Sequence, residues 1–192
     1  MTVGILSLQG AFAEHAAVLN RLGIPSFEIR QKRDLNRQMD GLIIPGGEST
    51  VMNKLLRELD LYDTLLTQIQ DGLPVFGTCA GLILLAKQVD GGESCFGTMD
   101  ISVKRNAYGR QLGSFFTEDR FGSTAKVPMT FIRAPYIKSV EAGVEVLSIV
   151  DNNIVAARQK NMLVTAFHPE LDDDLTVHQY FLQIIEQRNS QK

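Results

Sequence analysis

The chain has 192 residues, of which 44% are hydrophobic and 21% are charged, a balance typical of globular proteins. Nineteen Lys and Arg against 22 Asp and Glu give a formal net charge of −3, and no basic cluster indicates nucleic-acid binding. Two cysteines are too few for a disulfide framework, and no apolar stretch reaches the ~20 residues that a membrane helix needs. We therefore expect one cytoplasmic domain over residues 1–192, without a signal peptide or a membrane span.

The first half of the sequence alternates apolar strands with amphipathic helices. Strands are predicted at four short apolar runs: Val3–Leu8, Ser26–Ile29, Gly41–Ile44 and Leu73–Phe76. Helices are predicted where apolar residues recur with the helical period: His15–Leu22, Met52–Leu59 and Leu61–Ile69, with a fourth over Leu82–Lys87. This alternation favours an α/β fold with a mostly parallel sheet and helices on both faces.

The second half changes character and contains short β-rich runs separated by glycine, asparagine and proline. These runs are Met99–Val103, Val127–Arg133, Val144–Val150, Ile154–Ala157 and Met162–Ala166. They predict a mixed or antiparallel extension of the sheet. A last helix is predicted over Leu175–Gln187, opened by Asp172–Asp174, whose carboxylates suit the positive end of a helix.

The segment Gly77-Thr-Cys-Ala-Gly81 lies between a predicted strand and a predicted helix. It has the form G-x-C-x-G, the thiol version of the tight turn that presents a nucleophile. The amides that follow Cys79 would lie at a helix N-terminus, where they can favour a thiolate and bind an oxyanion. A buried cysteine in a glycine-rich turn explains this segment equally well when it is taken alone.

Two further segments favour the catalytic interpretation. His168-Pro-Glu170 follows a predicted strand, and in an extended segment His168 and Glu170 would share one face. A histidine can take a thiol proton while a carboxylate orients the imidazole ring. Pro45–Thr50 follows another predicted strand, and its two glycines allow a substrate to approach the backbone closely, although a plain strand-to-helix connection would look similar.

These three segments, in this order, resemble the class I (triad) glutamine amidotransferases. In that family a cysteine attacks the side-chain amide of glutamine, forms a γ-glutamyl thioester and releases ammonia. The resemblance implies a three-layer, flavodoxin-like fold and makes Cys79 the nucleophile, His168 the general acid/base and Glu170 its orienting partner. It also implies an oxyanion hole formed by the backbone N–H groups of Gly47 and Ala80.

More narrowly, the whole chain is similar to the glutaminase subunits of pyridoxal 5′-phosphate synthase. The segments that carry this similarity are Ser7–Gly10, Glu14-His15, Pro45–Thr50, Gly77–Gly81, Leu85–Lys87, Arg105–Gln111 and Phe131–Pro135. The similarity implies that glutamine is bound by Gly47, Glu48, Ser49, Arg105, Ile132 and Arg133. Two departures are Ala11, where a polar residue is common, and Glu118–Val127, which fits the pattern loosely.

The same similarity implies a partner but no cofactor, and since no cluster of His, Cys or carboxylate residues has the spacing of a metal site, no metal is expected. Ammonia would pass to a (β/α)₈-barrel synthase subunit, which builds pyridoxal phosphate from ribose 5-phosphate, glyceraldehyde 3-phosphate and ammonia. Gln9 follows the first strand near the expected site, because sites in such folds gather at strand C-termini. We therefore expect Gln9 to couple partner binding to formation of the oxyanion hole.

Simpler interpretations remain for other residues and for the function. His15 is predicted to be a packed or partner-facing residue, His178 to be solvated, and Cys95 to be an ordinary thiol. Arg105 and Arg110 could form a solvated basic patch. The alternatives to a glutaminase are a cysteine peptidase or chaperone-like hydrolase of the same superfamily, and a binding module that performs no chemistry.

Overall fold

The computed structural model describes residues 1–105, 113–123 and 126–190. The strands are β1 (Val3–Leu6), β2 (Ser26–Ile29), β3 (Gly41–Ile44), β4 (Val75–Thr78), β5 (Ala86–Asp90), β6 (Met99–Lys104), β7 (Ser114–Arg120), β8 (Lys126–Ile132), β9 (Tyr136–Val140), β10 (Glu145–Val150), β11 (Asn153–Gln159) and β12 (Met162–Thr165). The helices are α1 (Phe12–Arg21), α2 (Ser49–Glu58), α3 (Tyr62–Gln70), α4 (Ala80–Leu85) and α5 (Thr176–Asn189). Short 3₁₀ turns occupy Lys32–Asn36 and Pro169–Leu171.

A mixed sheet runs through the described part of the chain in the order β2-β1-β3-β4-β12-β11-β9-β6-β5, with β10 paired to β11. The five strands from β2 to β12 are parallel, as their registers show. The strands that follow pair antiparallel, except that β5 runs parallel to β6. Strands β7 and β8 form a separate antiparallel hairpin.

The parallel part of the sheet determines where the polar loops meet. In the centre, Phe76 of β4 is paired with Ile43 of β3 on one side and with Leu163 of β12 on the other. These strands are fully buried or nearly so, which explains their unbroken apolar runs. Because they are parallel, their carboxyl ends open at one edge, and the loops after β1, β3, β4 and β12 converge there.

The predicted α/β architecture with an antiparallel extension is confirmed, and β2 and β3 have the predicted bounds. The helix predicted over Leu82–Lys87 instead spans Ala80–Leu85, because the chain turns into β5 at Ala86. The prediction missed β5, β7 and β9. Strand β7 alternates exposed and half-buried residues and carries charges, so it lacks the apolar run that marks the central strands.

Helix α5 begins one residue later than predicted. The residue preceding it, Leu175, offers no side-chain cap, but Asp174 Oδ1 accepts a hydrogen bond from the backbone N–H of Thr176 at 2.8 Å. The acidic run thus supplies a hydrogen bond at the start of the helix, as expected. Of the helices described, none is both long enough and apolar enough to traverse a bilayer.

Candidate active site

Cys79 occupies the sharp turn between β4 and α4. Its φ of 47° and ψ of −94° are rarely adopted by a residue with a side chain. The turn depends on the small neighbours: a Cβ on Gly81 would overlap the carbonyl oxygen of Ile44, and one on Gly77 would lie 2.7 Å from the backbone of Gly81. The two glycines of the G-x-C-x-G pattern therefore permit close packing between the turn and its neighbouring strand.

His168 and Glu170 meet beside this turn. His168 Nδ1 lies 2.7 Å from Glu170 Oε1, and both side chains are buried. The two residues do not share one face of an extended segment; a 3₁₀ turn starts at Pro169 and brings the carboxylate back to the imidazole. Since Nδ1 faces Glu170, the remaining ring nitrogen, Nε2, is the one left to interact with Cys79, which lines the same pocket.

The surroundings of His168 favour its protonated form. Burial lowers the pKa of His168, but hydrogen bonds and charge interactions with Cys79 and Glu170 outweigh burial and raise that pKa to about 10. At neutral pH the ring is therefore an imidazolium between a sulfur atom and a carboxylate. A histidine placed between a cysteine and a carboxylate is the arrangement used for nucleophilic catalysis by a thiol.

The loop after β3 packs against both His168 and the loop after β1. A Cβ on Gly46 would overlap Cε1 of His168, so the backbone at this position lies directly against the imidazole. On its other side, the Gly46 carbonyl accepts a hydrogen bond from the N–H of Ala11 at 3.2 Å. Because the peptide is trans, the N–H of Gly47 points away from Ala11.

Gln9 holds the next peptide of the same loop. Its Oε1 accepts a hydrogen bond from the N–H of Glu48 at 2.7 Å, and it would lie 3.0 Å from a Cβ on Gly47. Opposite this loop, Ala80 begins α4, so its N–H belongs to the first-turn amides that have no acceptor within the helix. Of the two amides predicted for the oxyanion hole, that of Gly47 thus belongs to the loop after β3, and that of Ala80 to the start of α4, directly after Cys79.

A pocket of about 420 Å³ opens over the cysteine. It is lined by most of the predicted site residues: Gln9, Gly47, Glu48, Ser49, Cys79, Arg105, Ile132, Arg133 and His168. Glu170 is buried behind His168, out of contact with solvent. The structure therefore brings together residues that are widely separated in the sequence.

Two arginines stand at the mouth of the pocket. Arg133 Nη2 lies 3.5 Å from Glu48 Oε1, and both side chains are exposed. Arg105 Nη2 donates to Thr50 Oγ1 at 3.2 Å, so this side chain is anchored beside the pocket. The rest of the predicted Arg105–Gln111 motif, including Arg110, lies outside the described residues.

Sequence reasoning missed the environment of His178. The prediction that His178 is solvated was wrong, because it is fully buried. A signal was available, since Phe181, Leu182 and Ile185 follow it at the spacing of one helical face. His15 is packed in the core, as expected. Cys95 is also buried, which raises the pKa of its thiol to about 11 and leaves it unreactive at neutral pH.

The chain is similar to known proteins along nearly its whole length. Residues 5–187 match the model of the SNO glutamine amidotransferase family. The chain belongs to this family. A pyridoxal 5′-phosphate synthase subunit PdxT from Streptococcus pneumoniae serotype 2 (strain D39 / NCTC 7466) is 57% identical over 193 residues, covering 98% of this chain and all of the relative.

Solved structures agree with this assignment of the family and of the fold. A crystal structure of a glutamine amidotransferase, 41% identical, superposes with a TM-score of 0.90 over 96% of this chain and 98% of its own. The structure of PurLQS from Thermotoga maritima, 12% identical, has a TM-score of 0.65 over 95% of this chain and 97% of its own, and shares the fold. The predicted glutamine amidotransferase fold is therefore confirmed.

Proposed function

We propose that this chain is a glutaminase that hydrolyses L-glutamine to L-glutamate and ammonia through a thioester on Cys79. The observation that carries the proposal is the alignment of three side chains: Cys79 on a strained turn, the buried imidazole of His168 that lines the same pocket, and a buried carboxylate 2.7 Å from that imidazole. Membership of the SNO glutamine amidotransferase family supports it.

The chemistry follows from the charges around the cysteine. The thiolate of Cys79 attacks the side-chain amide carbon of glutamine, and the carbonyl oxygen becomes an oxyanion that accepts hydrogen bonds from the N–H groups of Gly47 and Ala80. His168 then gives its proton to the leaving nitrogen, and ammonia departs as the thioester forms. Water, deprotonated by His168, attacks the thioester and releases glutamate and the thiolate. Glu170 stabilises the imidazolium throughout.

The mouth of the pocket matches the polar ends of an α-amino acid. The Glu48 carboxylate can bind the ammonium group of glutamine, and Arg133 and Arg105 can bind its carboxylate in the bidentate manner typical of arginine. Because Glu48 and Arg133 already lie 3.5 Å apart, the two charges of the substrate would replace this exposed ion pair. Ser49 and Ile132 complete the lining between the mouth and the cysteine.

We further propose that the ammonia is used by a partner, a (β/α)₈-barrel subunit of pyridoxal 5′-phosphate synthase. The similarity to the S. pneumoniae protein, which is named as a subunit of that synthase, supports this assignment. In this proposal residues 1–192 act as one glutaminase domain without a cofactor of its own. The reduced thiols of Cys79 and Cys95 are suited to the cytoplasm.

Labelling with an electrophilic glutamine analogue tests the proposed nucleophile. We expect the analogue to add covalently to Cys79, and mass spectrometry of the digested protein to find no adduct on Cys95, because the buried Cys95 thiol stays protonated. Excess glutamine should protect Cys79. Equal labelling of both cysteines, or labelling that glutamine does not slow, would contradict the proposal.

Gln9 is proposed to couple partner binding to the oxyanion loop, because its Oε1 holds the N–H of Glu48 next to Gly47. We expect Gln9→Met, which keeps the side-chain length but removes the acceptor, to lower the synthase-stimulated kcat roughly 10-fold, the effect of one lost hydrogen bond of about 1.4 kcal/mol. The affinity for the synthase, measured by titration calorimetry, should change much less. An equal loss of affinity and activity would show that Gln9 serves docking alone.

A further inference from the structure

All three histidines of the chain lie in one buried network behind the cysteine. His178 Nε2 lies 2.9 Å from His15 Nδ1. The other nitrogen of His15, Nε2, lies 3.2 Å from Thr78 Oγ1 and 3.5 Å from Glu170 Oε2. The network therefore extends from helix α5 through helix α1 to the carboxylate that pairs with His168.

The two rear histidines are neutral. Burial lowers the pKa of His178 to about 3. Burial, together with the neighbouring rings of His178 and His168, lowers the pKa of His15 well below its usual range. The 3.5 Å approach of His15 to Glu170 is thus a contact between an imidazole dipole and a carboxylate, and it is too long to be a hydrogen bond.

Neutral rings leave one proton to be shared between His15 Nδ1 and His178 Nε2, and hence two arrangements. If His15 carried its proton on Nδ1, its Nε2 lone pair would face the Glu170 carboxylate, and the N–H at Nδ1 of His178 would be a buried donor with no acceptor. His178 Nδ1 is indeed buried without a hydrogen-bond partner among the described residues. An unpaired buried donor is costly, whereas a bare lone pair there is tolerated better.

The repulsion between the His15 lone pair and Glu170, and the unpaired donor on His178, both favour the opposite arrangement of protons. His178 donates its Nε2 proton to His15 Nδ1, which obliges His15 to carry its own proton on Nε2. That N–H then donates to Thr78 Oγ1 and turns its positive end toward Glu170 Oε2. This oxygen needs such a neighbour, because it is buried and makes no hydrogen bond with the part of the chain that the structure describes.

We propose that His15 is a positioning residue that holds the second oxygen of Glu170, and that His178 fixes the tautomer in which His15 can do so. This inference rests on the proposed role of Glu170 in orienting His168. With Oε1 bound to His168 and Oε2 facing the His15 N–H, the carboxylate plane is held from both ends. His15 also contacts Thr78, the residue before Cys79. The same ring therefore supports both Glu170 and the turn that carries Cys79.

Side-chain substitutions test the positioning role in the complete protein with its synthase partner. We expect His15→Leu to lower kcat about 10- to 100-fold while KM changes less than about 2-fold, because a misplaced catalytic group slows chemistry without weakening substrate binding. His15→Gln, whose amide N–H can reach the place of Nε2, should recover most of the loss. Phe181→Leu removes packing against Phe76, whose ring contacts both His15 and His178, but it removes no polar atom, and it should retain kcat.

Nuclear magnetic resonance reads the tautomers without any activity measurement. In protein labelled with ¹⁵N-histidine only three imidazole rings give signals, and we expect both His15 and His178 to carry their proton on Nε2. A proton on Nδ1 of His15 would overturn the inference, as would a folded His15→Leu protein with unchanged kcat, or a loss of kcat that His15→Gln does not recover. Failure of the glutaminase proposal would look different, since the wild type would then leave glutamine intact whichever tautomers were present.

Discussion

We expect Cys79→Ala to abolish glutamate production from glutamine, lowering the rate by roughly 10⁴-fold or more. Among the described residues that line the pocket Cys79 is the one cysteine, and in the proposed mechanism His168 and Glu170 act on the proton of its thiol. The remaining oxyanion donors and arginines would still bind glutamine. The variant should therefore retain substrate binding, measured by calorimetry, while glutamate release measured by chromatography disappears.

Cys95→Ala is the matched control for this experiment. Cys95 is as buried as Cys79, so both variants remove a buried sulfur atom. It precedes β6 and contacts Tyr62 through its carbonyl oxygen rather than through its thiol. Its loss should leave kcat and KM within about 2-fold of wild type, as is usual for substitutions away from a site. Normal hydrolysis by Cys79→Ala would remove the basis of the mechanism.

The second large effect is expected at Gly10. This residue has a φ of +89°, and a Cβ there would overlap the carbonyl oxygen of Gly46. Gly10→Ala must therefore push apart the two loops that are joined by the hydrogen bond from Ala11 to Gly46. Because Gly46 precedes the proposed oxyanion donor and lies against His168, we expect kcat to fall roughly 100-fold, the cost of losing one oxyanion contact.

Gly143→Ala separates the steric effect at Gly10 from the cost of the backbone conformation. Gly143 has the same φ of +89°, but nothing lies within 4 Å of the place that its Cβ would take. This control should lose about 1 kcal/mol of unfolding free energy in urea titrations, the ordinary cost of alanine at a positive φ. Its glutaminase activity should match that of the wild type. If Gly10→Ala and Gly143→Ala reduced activity equally, the contact between Gly10 and Gly46 would have no special importance for catalysis.

The parallel part of the fold was predictable because its strands are covered on both faces. Runs such as Gly41–Ile44 are unbroken and apolar, and the helices between them keep a clear period. The peripheral strands β5 and β7 were missed because exposed edges and hairpins carry charged residues, which look like loops in a sequence. Local patterning therefore predicts buried elements better than edge strands.

The candidate site was predictable where a motif concentrates the chemistry in a few neighbouring residues. Cys79 and the His168-Pro-Glu170 segment could be chosen because a thiol, an imidazole and a carboxylate have complementary roles in catalysis: nucleophile, general acid/base and orienting group. The contacts that complete the site join distant parts of the chain: Gln9 with Glu48, and His15 with His178. Such pairs leave no periodic signal, and only the assembled core shows that a helix places His178 against His15.

The transfer of nitrogen tests the central claim most directly. Glutamine labelled with ¹⁵N in its side-chain amide is supplied to this chain together with the barrel synthase, its sugar phosphate substrates and unlabelled ammonium ions. We predict that mass spectrometry will find the label in pyridoxal 5′-phosphate, together with one glutamate for each labelled molecule formed, and that Cys79→Ala will yield only unlabelled product. Wild-type protein that leaves glutamine intact, or that forms glutamate while the product stays unlabelled, would contradict a glutaminase that supplies this synthase.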